Sequence, residues 1–154
     1  MRWTVLQFGR HQGQTLPQIV LSDPDWFFWA IAKGVFQGRL SSEAEILAGR
    51  ATHIKIPKRD WQGWEVEYRY ERNGRFCGFG FVEAYVPPHS GSHVRLPYFD
   101  LSCAPRSKAY DKQRCKVLIA DFRRHYFGEN TRLTKQRCEK FFDNQKNFLD
   151  DESE

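Results

Sequence analysis

The stretch WEVEYRYERNGRFCGFGFVEAYV, residues 64–86, constrains the fold more than any other part of the chain. Two alternating runs flank Asn73-Gly74, a dipeptide suited to the two positive φ angles of a type I′ turn, so the sequence predicts an antiparallel hairpin. On the first run Trp64, Val66, Tyr68 and Tyr70 share one face, and Glu65, Glu67, Arg69 and Glu71 share the other. One face is expected to meet a core and the other water, with Arg75 as a cross-strand partner for the acids. After the loop PPHSGSH, VRLPYFDLS supplies a third strand, which Pro97 confines to an edge or marks with a bulge.

Helical signals flank this β centre. Residues 3–8, WTVLQF, read as a short strand that runs into the glycine turn GRHQGQ and a one- or two-turn helix over LPQIVLS. Asp23 is a natural N-cap, with Pro24 at the first helical position and Asp25 in the first turn, so a helix is predicted from Pro24 to about Val35. Gly38 closes that segment, and Ser41 or Ser42 caps a further short helix through SSEAEILAGRA, with Glu45 in capping-box register to Ser42. Toward the C-terminus, residues 106–127 line up Tyr110, Val117, Leu118, Phe122 and Tyr126 on one helical side and Lys112, Lys116 and Arg123 on another. Gly128 stops that helix. A last helix over about 133–148 buries Cys138, Phe141, Phe142 and Phe148 and directs Lys135, Lys140 and Lys146 outward.

The expected architecture is α+β: an N-terminal turn-helix unit, a central antiparallel β-meander, and a C-terminal helical pair packed on the sheet. At 154 residues the chain suits one compact domain over residues 1–148, with a possible subdomain boundary near 55–60 and an acidic tail at 149–154. Aromatic residues make up 16% of the chain and must supply much of the burial. No run of apolar residues is long enough to span a membrane, and MRWTVLQFGRHQ lacks the order of a signal peptide, so a cytoplasmic location with no membrane partner is expected. Cys77, Cys103, Cys115 and Cys138 contain no CxxC pair and read as small buried apolar residues rather than disulfide or zinc ligands.

Charge is distributed unevenly. Residues 103–148 hold 12 Lys and Arg against 5 Asp and Glu, net +7, whereas residues 1–102 hold 12 against 10, net +2, and LDDESE carries −4. A basic C-terminal third of this kind suits a polyanion partner, because clustered cations release phosphate counterions on binding. Chemistry is less well represented. Asp60, Glu65, Glu67, Glu83 and Asp100 offer carboxylates, yet no acidic-x-Lys pattern completes a nuclease-like metal site, and His89 and His93 in HSGSH lack a third ligand at fixed spacing. His125, near a helix end, either caps the helix, contacts a polyanion or belongs to the core. There is no GxSxG elbow and no phosphate loop, so no catalytic residue, metal or cofactor is assigned. A metal-dependent nuclease using Glu65, Glu67, Asp100 and the His89/His93 loop is the minor reading.

Residues 7–31 carry a more specific pattern. Phe8-Gly9-Arg10-His11-Gln12-Gly13-Gln14-Thr15-Leu16, followed by Asp23-Pro24-Asp25-Trp26-Phe27-Phe28-Trp29, resembles the small C-terminal domain of exodeoxyribonuclease X-like proteins, which also occurs alone in short proteins of bacteria, phages and mobile elements. The resemblance implies a nucleic-acid-associated accessory module, with Arg10 and His11 at the motif's basic and aromatic-like positions. It does not carry over the nuclease activity, which resides in a separate acidic domain of those enzymes. Gln12 stands where many members have Lys or Arg.

Taken on its own physics, the turn offers successive N–H groups beside Arg10 that suit a phosphate, or else two glycines that let the chain pack closely on the next helix. The following aromatics fall into several helical rows. Trp26, Trp29, Ala30 and Lys33 form the row best placed for exposure, since Trp beside Lys suits base stacking with phosphate contact. The expected binding residues are therefore Arg10, His11, Trp26 and Lys33, together with Lys108, Lys112, Arg114, Lys116, Arg123, Arg124, Lys135 and Arg137. These describe a non-enzymatic nucleic-acid-binding accessory protein contacting the phosphate backbone of DNA or RNA through basic C-terminal helices, with little sequence specificity. The alternative is a protein-binding adaptor or inhibitor of a host or element-encoded nucleic-acid-processing complex.

Overall fold

The computed structural model describes residues 2–87, 93–102 and 112–149, with His93, Lys112 and Gln113 described by backbone only. Among the described residues, five helices and three strands follow in the order α1 (Leu16–Val20), α2 (Pro24–Ala32), α3 (Arg39–Ala51), β1 (Trp64–Tyr70), β2 (Phe76–Glu83), β3 (His93–Leu96), α4 (Lys112–Tyr126) and α5 (Lys135–Asp143). Short 3-10 turns at Trp61–Gly63 and Gln145–Asn147 lead into β1 and follow α5. The fold is α+β, with the C-terminal helical pair on the sheet as the hydrophobic periodicity predicts.

The hairpin forms, but with a different turn. Only Gly74 has a positive φ (84°), while Asn73 does not. The Gly74 N–H donates to the Glu71 carbonyl and the Glu71 N–H to the Arg75 carbonyl, both at 2.8 Å, which closes a three-residue loop in place of a type I′ turn. Asn73 contributes its side chain instead, accepting from the Arg75 N–H at 2.9 Å. Farther along, the register shifts between Arg69 and Tyr70, and Cys77 is the extra residue. Cys77 is exposed there, against expectation, because a bulged residue is turned out of the pleat.

The sheet order is β2-β1-β3, so the third strand lies beside β1 and not beside β2 as in a strict meander. Asp121 of α4 takes the Phe79 N–H at 3.1 Å on β2. Gly78 permits this approach: its φ is 136°, and a Cβ there would stand 2.5 Å from the Asp121 carboxylate. The strand β3 ends immediately before Pro97 and is an edge strand, as the proline requires.

Val66 and Tyr68 bury the apolar face of β1 beneath α4, where Phe79 and Phe81 pack on His125 and Phe99 packs on Phe122. The opposite face is not simply solvated. Glu67 is fully buried, with Arg69 and Arg95 each 3.0 Å away on that face.

Residue Ile54 ties the two halves of the chain together. It bridges Phe99 on one side and Phe148 on the other, and the flanking Lys55 and Leu149 N–H groups bond to Asn147 and His53 carbonyls. The core consequently runs without interruption from Trp3 to Phe148, past the 55–60 segment. Among the described residues, no helix is long and apolar enough to cross a membrane.

Several local expectations shift for identifiable reasons. Residues 3–8 make one bridge, Val5 to Thr15, rather than a strand, because the chain folds back through the glycine turn. Helix α2 stops at Ala32: Gly34 turns left-handed, and the Gly34 and Val35 N–H groups close onto the Ile31 and Ala30 carbonyls. Helix α3 begins at Arg39 with Gly38 as its N-cap, which places Ser42 inside the helix, away from any capping box. Its neighbour Glu43 is buried and accepts from both the N–H and hydroxyl of Thr4.

Candidate nucleic-acid interface

The glycine turn is held from within. Gly9 and Gly13 both have positive φ, the Leu6 and Gly13 N–H groups bond across the loop, and the turn delivers His11 to the start of α2. There the His11 Nε2 lies 3.0 Å from Asp23 Oδ2 and its Nδ1 lies 3.1 Å from Gln14 Oε1. Asp23 uses its other oxygen as the predicted N-cap, accepting the Trp26 N–H at 3.3 Å. The imidazole packs edge-on against Trp26, with ring centroids 4.8 Å apart.

Thus Gly9, His11, Gly13, Asp23 and Trp26 form one structural latch. Arg10 projects outward and is half exposed, 3.7 Å from Asp23. Asp23→Ala removes the cap and the His11 partner together and is expected to cost about 2 kcal/mol, with Asp23→Asn intermediate. Chemical denaturation checks this, and an unchanged midpoint for the alanine variant would remove the latch.

The row Trp26, Trp29, Ala30 and Lys33 is divided. Ala30 is fully buried and Trp26 is covered by His11 and Phe36, whereas Trp29 is 51% exposed and Lys33 lies at the surface. Trp29, rather than Trp26, is the available indole.

Among the basic residues, Arg114 is misplaced by sequence reasoning. It is 7% exposed and its Nη2 lies 3.3 Å from Asp25 Oδ2, tying α4 to α2. Charge alone gives no sign of this, since a buried arginine looks like an exposed one until its partner is known. Lys108 and the Lys112 side chain lie outside the described residues. Lys116, Arg123, Arg124, Lys135 and Arg137 are exposed. Arg124 pairs with Asp121 at 2.8 Å, and Arg137 bonds the Arg132 carbonyl at 2.7 Å.

Lys116 and Arg123 stand along one side of a groove of about 340 Å³. Gln14, Gln18 and Ser22 line its α1 side, while Ile119, Leu133 and Cys138 supply apolar lining. The N-terminal unit and the basic helix, about a hundred residues apart in sequence, therefore form one surface. Burial pushes the Cys138 thiol up to about 11 and the Cys115 thiol up to about 12, so both stay protonated and apolar in character.

His125 belongs to the core side of α4. Burial against Phe79 and Phe81, with Arg124 adding repulsion, holds its pKa below the usual 6.5. The unfolded chain then takes up a proton at a higher pH than the folded chain, so this contribution to stability is full above 6.5 and declines as pH falls toward the lowered folded value. Urea midpoints measured above and below that pH should diverge more in wild type than in His125→Gln. Equal divergence in both would assign the effect to other groups.

No group of three or more His, Cys, Asp or Glu side chains is placed to hold a metal among the described residues. Glu67 is engaged by two arginines, and Asp100 accepts from the N–H and hydroxyl of Ser102. His89 lies outside the described residues.

A second basic surface went unnoticed in the sequence. Lys55, Lys58, Arg59 and Lys146 surround a groove of about 450 Å³ with Trp61, Tyr126 and Phe141 in its wall. Its signal is present in KIPKRDWQGW, where three basic residues precede two indoles, but Lys146 joins only through the fold.

Fold and surface together define a small α+β domain whose C-terminal helix pair borders two basic grooves. The chain matches no protein-family model, no curated protein and no solved structure.

Proposed function

We propose that this protein is a non-enzymatic nucleic-acid-binding accessory protein that holds the phosphate backbone against α4 and α5 with little sequence specificity. The observation carrying this reading is the groove flanked by exposed Lys116 and Arg123, seven positions apart on α4. Arg124, Lys135 and Arg137, all exposed, extend the basic surface. Kinship of residues 7–31 with the exodeoxyribonuclease X-like C-terminal domain is part of the same proposal and supplies the accessory role. Binding itself rests on the groove.

Fluorescence anisotropy with DNA and RNA at two salt concentrations tests the reading. Affinity should fall steeply with salt, and Lys116→Glu/Arg123→Glu should weaken binding and reduce the logarithmic salt slope by about 2. Binding that ignores salt or tolerates the double reversal would overturn it.

A second reading, a protein-binding adaptor of a nucleic-acid-processing complex, is favoured by Trp29 at 51% and Phe8 at 39% exposure, since exposed aromatics anchor protein interfaces. A stoichiometric partner recovered after nuclease treatment, and lost with Trp29→Ala, would support that reading.

A further inference from the structure

We infer that the groove between the 55–61 segment and the end of α5 takes a single strand of nucleic acid, with phosphate among Lys58, Arg59 and Lys146 and a base against Trp61. This rests on the nucleic-acid reading above and assigns it a strandedness and a second site. Four cations line the groove, and among the described residues no carboxylate does. Gathering them raises their mutual repulsion, which a polyanion relieves.

The segment is fixed in position. The Lys55 N–H donates to the Asn147 carbonyl at 2.8 Å, the Lys55 carbonyl accepts from the Tyr126 hydroxyl at 3.0 Å, and the Lys58 N–H donates to the Ile56 carbonyl at 2.8 Å. Its lysines rest on indole faces: Lys55 Nζ is 5.4 Å from the Trp61 ring centroid and Lys58 Nζ is 4.6 Å from that of Trp64. Asp60 is engaged by the Trp64 indole N–H at 3.1 Å. Ammonium groups held this way lose some side-chain freedom before any ligand arrives.

Size and lining select the strand. A hollow of about 450 Å³ walled by Trp61, Tyr126 and Phe141 accommodates an unstacked base. Bases inside a duplex cannot reach such a wall, whereas those of a single strand stack on aromatic side chains. An acidic peptide would engage the cations alone and leave the aromatic wall unused.

The test compares a labelled single-stranded oligonucleotide, a duplex of the same length, a free mononucleotide and poly-glutamate. In the full chain, Lys58→Glu/Arg59→Glu should weaken single-strand binding about tenfold or more. Trp61→Ala should weaken it about tenfold with little effect on duplex, and Trp61→Phe should retain most of the affinity. Should Trp61→Ala fail to fold, the exposed Lys58/Arg59 pair still decides the matter.

If these variants bind the single strand like wild type while Lys116→Glu/Arg123→Glu weakens it, this inference fails and the proposed function stands. Equal loss of single strand and duplex, or competition by poly-glutamate as effective as by the oligonucleotide, also overturns it. Competition by the mononucleotide as effective as by the oligonucleotide would make the occupant a nucleotide and not a strand. Absence of all nucleic-acid binding in wild type would remove both.

Discussion

Replacing Arg114 by Met is expected to lower the free energy of unfolding by about 3–5 kcal/mol, the usual result of removing one partner from a buried ion pair. The Asp25 carboxylate would stay buried with its guanidinium partner at 3.3 Å gone. Asp25→Leu combined with Arg114→Met should recover much of the loss, because two apolar residues avoid the desolvation that a lone charge suffers. Lys116→Met, two positions on and at the surface, should stay within about 0.5 kcal/mol of wild type. Denaturant titration of these variants separates a structural cation from a binding one. Near-neutral behaviour of Arg114→Met would return that residue to the surface role its position in a basic helix suggests.

Phe122→Ala is expected to cost about 3–5 kcal/mol, in the range for deleting a buried aromatic ring. Its ring is fully buried, stacks on Tyr126 with centroids 4.5 Å apart, and meets Phe99 at 5.3 Å and Phe141 at 5.7 Å. The three contacts join α4 itself, the segment after β3 and α5, so the cavity opens where those parts meet. Phe122→Leu should cost roughly 1–2 kcal/mol because most of the volume remains. A fall in midpoint with the urea slope unchanged is the expected signature, and a midpoint that does not move would place the ring outside the core.

Both residues lie on the same helix, and the sequence treats them differently. Phe122 is legible because apolar spacing on α4 repeats with the helical period and a ring of that size has few places to go except inward. Arg114 is not legible, since its burial depends on Asp25, which arrives from α2 nearly ninety positions earlier. The same contrast holds elsewhere. Asp23 announces itself as a cap because capping is decided within one turn, while its second role as the partner of His11 requires the glycine turn to fold back. Asn73-Gly74 marks the hairpin, yet the type of turn follows from the bulge at Cys77 and the pairing on either side. Glu67 alternates with apolar neighbours in the manner of a surface residue, and only the arrival of β3 with Arg95 on the far edge covers it.

For the binding surface the division is similar. Clustered Lys and Arg in the last third are visible as composition, whereas their grouping into grooves is not. Lys146 reaches Lys55 and Lys58 because the Asn147 carbonyl pairs with the Lys55 N–H, and Gln14 reaches Arg123 because α1 packs against α5. By itself the sequence determined what short-range physics controls: the capped α2, the hairpin, the apolar side of α4, the edge position of β3 and the sign of the C-terminal charge. Only the tertiary structure decided which charges are buried, which indole is exposed and which cations share a groove, because each of those depends on a partner brought from a distant part of the chain.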